Sequence, residues 1–246
     1  MSLFYAPALI FAIFAKILLS QDDPAAIWLI FGNICAGCMW GLAISSLING
    51  ILKALNNFRY NIYGNGALLT RCLPTTLSRI FLEKFLIGAL LSLTSIIIAT
   101  LAVLIVYAPY DQISAILDLI QSTTNTNNTA AILLILAIFY VEILLVFSAG
   151  TFGIVLGRKH LRRKNLWSVI YGFLAYLAAQ AFIIGGIAIV GIFEPDVLQL
   201  FNPAANLITP TAIKTATITS AIAYAVCTLI FGYISGHIIA KGVDIG

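Results

Sequence analysis

The chain has 246 residues, of which 61% are hydrophobic and only 9% are charged, and its mean hydropathy is +1.06. Soluble globular proteins carry about 25% charged residues, so this chain cannot cover a surface that faces water. Composition therefore excludes a soluble enzyme and a transcription factor, and it predicts an integral membrane protein. The net charge of +4 is informative through its distribution along the chain rather than through its sum.

Apolar runs long enough to cross a bilayer, at roughly 20 residues per span, recur along the whole chain. We predict an all-α integral membrane protein with six transmembrane helices in one transmembrane domain, 1–246. The first run is short and contains Lys16, but it lacks the positive amino end and the A-x-A site of a signal peptide, so we expect an uncleaved span. In chain order the predicted spans are 3–19, 25–52, 85–107, 130–156, 167–193 and 216–240.

Basic residues indicate the orientation, because Lys and Arg collect in cytoplasmic loops. With the amino terminus inside, the cytoplasmic segments hold 11 of the 13 basic residues, and only Lys16 and Lys214 fall near the outer face. We therefore predict that both termini are inside. The basic run at 158–164 is brief and lies directly between two spans, so orientation and contact with anionic lipid account for it. We expect no nucleic-acid binding.

The first cytoplasmic connection has the pattern of a helix, a break and a second helix. Gly64 and Gly66 should end the helix that extends the second span, and Pro74 should stop a short amphipathic piece after it. Thr75 or Thr76 can cap a new helix that runs into the third span. On the residues alone two interpretations are equally good: a surface on which a cytoplasmic motor acts, or an interfacial loop that obeys the positive-inside rule.

Residues 64–86 read G-x-G-x-L-L-T-x-x-L-P-x-x-x-S-R-x-x-L-x-K-x-L. This run resembles the first intracellular loop of bacterial ABC-2-type ABC transporter permeases, in their Firmicutes-like six-span form. There, a glycine turn and a Thr-Leu-Pro segment precede a basic residue and a lysine that leads into a span. The six-span layout resembles the family more loosely over most of the chain. Asn65 departs from the family, which commonly carries acidic residues in the glycine turn.

The resemblance implies that residues 69–79 form a coupling helix that docks on a nucleotide-binding subunit. It also implies two copies of that ATP-binding subunit and a second permease, identical or related, in the plasma membrane of a bacterium. The chain has no G-x-x-x-x-G-K-S/T motif to hold ATP phosphates, so we expect no enzyme activity and no cofactor here, with ATP and Mg on the partner subunit. The residues implied in coupling are Leu69, Thr70, Arg71, Leu73, Pro74, Thr75, Thr76, Ser78 and Arg79.

Glu142 is the ionisable residue nearest the middle of a predicted span. A carboxylate there costs on the order of 3 kcal/mol on insertion scales, so it should face protein or water. One interpretation is a contact in a translocation path, and the other is a protonated glutamate bonded to a Ser or Tyr hydroxyl. Cys35 and Cys38 form a C-x-x-C without a second pair of ligands, so we predict no metal site.

Two further patterns concern packing. Pro195, Pro203 and Pro210 should divide the connection between the last two predicted spans into short half-helices, which resembles a re-entrant element of ABC-2 permeases. G-x-x-x-G pairs allow close helix approach inside the bundle or across a dimer seam. Packing within the molecule is the default expectation for Gly37/Gly41, Gly153/Gly157 and Gly232/Gly236.

The expected function is the permease subunit of an ATP-driven exporter. Since few charges line the spans, we expect an apolar or amphipathic cargo such as a peptide, a lipid or a drug-like molecule. The alternative is a gradient-driven secondary transporter or channel that uses Glu142. That class usually shows more intramembrane charges, broken helices and an inverted repeat.

Overall fold

The computed structural model describes residues 2–20, 26–64, 76–107, 128–160, 162–198 and 210–241. These residues are helical apart from short turns, and no strand occurs among them, which confirms the all-α prediction. The helices are α1 Ser2–Leu19, α2 Ala26–Tyr63, α3 Leu77–Tyr107, α4 Asn128–Gly157, α5 Lys164–Phe193, α6 Pro195–Leu198 and α7 Pro210–Ala240.

Five of the described helices are long and apolar enough to cross a membrane: α2, α3, α4, α5 and α7. They coincide with the second to sixth predicted spans. All five expose large apolar side chains, among them Val169 at 71% and Leu229 at 72%, and a lipid-facing surface requires this. The apolar part of α1, Tyr5–Leu19, is shorter than a full span. A sixth span and the orientation stay predictions.

The chain divides into two compact units, and the first comprises Met1–Ala54 and Leu90–Ile116. In it, α1 packs with the amino-terminal part of α2 and the carboxy-terminal part of α3. The Tyr5 hydroxyl lies 2.6 Å from Ser95 Oγ. A Cβ on Gly50 would also lie 2.6 Å from that Oγ. Small residues therefore let these helices approach closely, and the core is Ala12, Ala15, Ala36, Met39, Ala43, Ala102 and Val106.

The second unit comprises Leu55–Ala89 and Leu117–Gly246. Within it α4, α5 and α7 pack against one another, and the short α6 packs on α5 and α7. Half of the α4 span is buried, against 17% of the α5 span and 22% of the α7 span. Of these three helices α4 is therefore the most enclosed by protein, so a polar residue on α4 has the best access to partners on other helices.

Glycines on α4 form a close seam with α5. A Cβ on Gly153 would lie 2.5 Å from both Gly172 Cα and the Ser168 carbonyl oxygen, and a Cβ on Gly157 would meet Ser168. This confirms the predicted intramolecular packing for Gly153/Gly157. A Cβ on Gly37 would meet no described atom within 4 Å. The same holds for its partner at position 41, so that pair makes no close packing among the described residues.

The ends of α2 and α3 lie where the sequence places them. The Gly64 N–H donates to the Tyr60 carbonyl at 3.0 Å, and a Cβ on Gly64 would lie 2.8 Å from that oxygen, so the terminating position requires glycine. Helix α3 begins after Thr76, whose carbonyl accepts from the N–H groups of Arg79 and Ile80 at 3.0 and 3.2 Å. The segment between them, 65–75, lies outside the described residues.

Prolines begin the last two helices. Pro195 and Pro210 are the first residues of α6 and α7, where a missing N–H costs no helical hydrogen bond. Val197 is fully buried, and a Cβ on Gly191 would lie 2.6 Å from Leu198 Cδ2. The half-helix expected after Pro195 is therefore present and packs back on α5. Pro203 lies outside the described residues, and Pro210 begins the long helix α7 instead of a short half-helix.

Candidate functional site

Glu142 occupies the middle of the most enclosed helix of the second unit. It is the fifteenth of the 30 residues of α4, so it lies near the middle depth of a bilayer whose core is about 30 Å thick. Its side chain is partly buried. The neighbouring Ile143 and Leu145 are buried, which places this part of α4 among packed helices.

Polar side chains of two other helices lie beside Glu142 at the same depth. Tyr224 is the fifteenth residue of α7 and Gln180 the seventeenth of α5. The Gln180 side chain hydrogen-bonds the Tyr224 hydroxyl, and Glu142 and Tyr176 lie within electrostatic range of that hydroxyl. We name these four residues, Glu142, Tyr176, Gln180 and Tyr224, the polar cluster.

An apolar core surrounds the polar cluster. Tyr176 and Tyr224 pack against buried residues of all three helices: Leu145, Ala179, Ile183, Ala223 and Cys227. Hydrogen bonds and charges act more strongly in such a low-dielectric setting than in water. Thr228 follows Tyr224 by one turn of α7, and its buried Oγ1 has no hydrogen-bond partner among the described residues. A further polar side chain of α7 therefore lies buried one turn from the polar cluster.

The chemistry of the polar cluster suits recognition rather than covalent catalysis. A carboxylate, two phenol groups and an amide can together accept and donate hydrogen bonds, and tyrosine ring faces attract cations. Glu142 makes no hydrogen bond or ion pair with another described residue. Its carboxylate can therefore meet a group that enters the bundle. Tyr224, whose hydroxyl feels the charge of Glu142, is the neighbour to which Glu142 would bond in the alternative interpretation.

The sequence pointed to Glu142 but not to its neighbours. Gln180 is the one amide within the predicted span 167–193, and Tyr176 stands four residues before it, so the two share a helix face. That spacing is a usable signal. Tyr224 carries no such signal, since its proximity to Gln180 depends on how α7 packs against α5.

Aromatic rings connect α4, the helix that carries Glu142, with the end of α2 and the beginning of α3. Ring centroids are 5.6 Å apart for Phe58–Phe81, 5.9 Å for Phe81–Phe85 and 5.3 Å for Phe85–Phe147. A Cβ on Gly88 would meet the Phe147 ring, so the glycine makes room for the last contact. We name Phe58, Phe81, Phe85 and Phe147 the aromatic chain; it ends on α4 five residues beyond Glu142.

Three of the nine residues implied in coupling are described by the structure. Thr76, Ser78 and Arg79 are exposed, at and just after the start of α3. The remaining six, Leu69, Thr70, Arg71, Leu73, Pro74 and Thr75, lie outside the described residues.

Within the described ranges, no group of three or more His, Cys, Asp or Glu side chains could hold a metal ion. His160 instead lies 2.9 Å from the Tyr171 hydroxyl, and His237 stacks on Tyr233. No protein-family model, curated protein or solved structure matches this chain.

Proposed function

We propose that the chain is the transmembrane permease subunit of an ATP-driven exporter whose ATP is hydrolysed by a separate subunit. The observation that carries the proposal is the length of α2 and α3. At 1.5 Å per residue, their 38 and 31 residues correspond to about 57 and 46 Å, whereas the hydrocarbon core is about 30 Å thick. Both helices have length to spare beyond the membrane.

The surplus length lies at the ends that are joined by residues 65–75. Polar side chains replace the apolar run of α2 after Leu52, and Lys53, Asn56 and Asn57 are exposed there. Phe58 and Ile62 on the opposite side are buried with Phe81. The extensions are thus amphipathic and basic, which supports a position at the cytoplasmic interface.

The extensions are anchored to the helices that carry the polar cluster. Ile154 and Val155 of α4 and Ile239 of α7 complete the buried core around Phe58 and Phe81. A push on residues 65–79 would therefore act on α4 through this core and through the aromatic chain. Interfaces packed in this way shift as rigid bodies between discrete arrangements.

In the proposed cycle, ATP binding closes two ATP-binding subunits and moves the coupling segments of two permeases, identical or related. Movement of α4 against α5 and α7 then changes the access to the polar cluster. The cargo is apolar or amphipathic, since Glu142 is the sole carboxylate at middle depth among the described residues. A polar group of such a cargo would meet Glu142 and the two tyrosines.

The test is co-purification of the full chain from its native membrane in mild detergent, with mass spectrometry of bound proteins. We expect an ATP-binding subunit in stoichiometric amount, and we expect Arg79→Glu to remove it. Arg162→Glu is the matched control, because Arg162 is equally exposed and basic but lies between α4 and α5. A chain that is stable without any ATP-binding partner would overturn the proposal.

A gradient-driven carrier is the second candidate, and the position of the polar cluster at middle depth favours it. Such a carrier would accumulate a fluorescent amphipathic cation in proteoliposomes under an imposed pH gradient without ATP, and Glu142→Gln would abolish the accumulation. An exporter that depends on a separate ATPase would show no accumulation under these conditions, either in the parent chain or in the Glu142→Gln variant.

A further inference from the structure

Two arginines lie near the start of α5, outside the predicted spans 25–52, 130–156 and 167–193. The Arg59 Nη1 of α2 donates to the Asn165 Oδ1 in the first turn of α5, at 3.2 Å. Arg158 directly follows α4, and its guanidinium carbon lies 5.5 Å from the centre of the Tyr63 ring. Arg59 and Tyr63 are four residues apart on α2, so they share a helix face, and the charge of Arg59 acts on Arg158.

Among the described residues, the surroundings of these arginines lack a counter-charge. Burial, and in second place the charge of Arg59, lowers the pKa of Arg158 below its ordinary value. The Arg158 Nε is buried and has no hydrogen-bond partner among the described residues. The ion pair found in the described ranges joins Lys84 to Glu83, and no described carboxylate pairs with Arg59 or Arg158. An anion between the guanidinium groups would relieve the repulsion and satisfy the Nε–H.

The amino end of α5 adds to the positive potential at this place. Arg163 precedes the helix with φ 54°, and its side chain makes no capping hydrogen bond. The first N–H groups of this 30-residue helix therefore contribute partial positive charge beside Asn165. The arginine pair defines the position of the positive potential, and the end of α5 adds to its strength.

Aromatic side chains near the arginine pair support a position at the level of lipid headgroups. The His160 ring stacks on Trp167 with centroids 4.4 Å apart, and its Nε2 lies 2.9 Å from the Tyr171 hydroxyl. Trp and Tyr concentrate at the membrane–water interface. Further along α5, Val169 and Phe173 are exposed at 71% and 60%, so a phosphate at the arginine pair would have apolar surface available for its acyl chains.

We propose that Arg59 and Arg158 bind the phosphate of an anionic phospholipid in the leaflet next to the basic segments. Arginine forks match phosphate oxygens bidentately, and basic pockets between transmembrane helices are suited to anionic headgroups. The proposal is independent of the exporter function, because it depends only on the second unit and on a bilayer.

The experiment uses Trp167 as a reporter in a protein that carries Trp28→Phe and Trp40→Phe, in nanodiscs of phosphatidylcholine with phosphatidylglycerol brominated on its acyl chains. We expect bromine to quench Trp167 at a low fraction of phosphatidylglycerol. The Arg59→Gln/Arg158→Gln variant should require about tenfold more of this lipid for equal quenching, since it loses charged hydrogen bonds. The control Lys159→Gln/Arg162→Gln removes the same charge from two exposed residues and should behave as the parent does.

An equal loss of quenching in the Arg59→Gln/Arg158→Gln variant and in the control variant would mean diffuse attraction of the lipid to a basic surface. This result would overturn the proposal. If the glutamine variant fails to fold, Arg59→Lys/Arg158→Lys keeps the charge without the fork, and unchanged quenching in that variant would equally contradict the site. In a further measurement, quenching in the presence of inorganic phosphate is compared with quenching in the presence of chloride at equal ionic strength. Loss of quenching with phosphate would identify a site for free phosphate instead of lipid.

Discussion

Gly153 and Gly157 occupy positions in α4 where any side chain would collide with α5 at Ser168 or Gly172. We expect Gly153→Leu to lower the free energy of unfolding by about 1–3 kcal/mol through overpacking. Gly37→Leu is the matched control, since a Cβ there meets nothing within 4 Å. Thermal unfolding in detergent, followed by size-exclusion chromatography, measures both, and an equal midpoint for the two variants would show that the seam does not exist.

Glu142 and Tyr224 should respond in opposite directions to conservative substitution. Tyr224→Phe removes the hydrogen bond with Gln180 and should cost about 0.6 kcal/mol, the average for such bonds in membranes. Glu142→Gln should leave stability unchanged or raise it, because a carboxylate at middle depth costs about 3 kcal/mol on insertion scales and makes no described bond.

The same thermal measurement checks this pair, with Tyr233→Phe as control, since Tyr233 is 75% exposed. If Glu142→Gln destabilises the protein as much as Tyr224→Phe does, the carboxyl group is bonded to a neighbour and the interpretation as a contact in the translocation path is wrong.

At the level of elements, the aromatic chain predicts a defined coupling between α3 and α4. Phe85 and Phe147 are in ring contact at 5.3 Å, and aromatic pairs contribute about 0.5–1.5 kcal/mol beyond their buried area. We expect a double-mutant cycle with Phe85→Leu and Phe147→Leu to give a coupling energy in this range. Additive effects of the two substitutions would exclude the contact.

Gly88 supplies a second check of the same contact. Gly88→Ala should destabilise the protein because its Cβ meets the Phe147 ring, and Phe147→Leu in the same chain should restore part of the loss. Gly232→Ala on α7, where a Cβ meets nothing within 4 Å, is the control. Absence of rescue would place the strain elsewhere.

Sequence patterns predict the elements well and their full lengths less well. The apolar run ends at Leu52, yet α2 continues to Tyr63, because Phe58 and Ile62 are four residues apart and are buried together. The end at Gly64 and the start of α3 after Thr76 follow from local chemistry and are found as predicted. The partnership of Gln180 with Tyr224 joins residues 44 positions apart, and only the packing of α5 against α7 decides it.

For the whole molecule, six spans with both termini inside is a prediction that cysteine labelling can decide. In a chain with its four cysteines changed to serine, a cysteine at Ser20 should react with a membrane-impermeant maleimide from outside. A cysteine at Ser2 or Arg162 should react only after permeabilisation. If positions 2 and 20 label from the same side, α1 does not cross the membrane, and the molecule has the five spans that helix length alone supports.

Photocrosslinking in native membranes shows directly whether a separate ATPase acts on the extended ends of α2 and α3. A photoreactive amino acid replaces the exposed Ser78, and mass spectrometry identifies what it captures. The exporter proposal predicts a cross-link to an ATP-binding subunit whose yield changes when ATP and vanadate are added. A cross-linker at Ser78 that captures only lipid or water, while the protein remains folded, would contradict it.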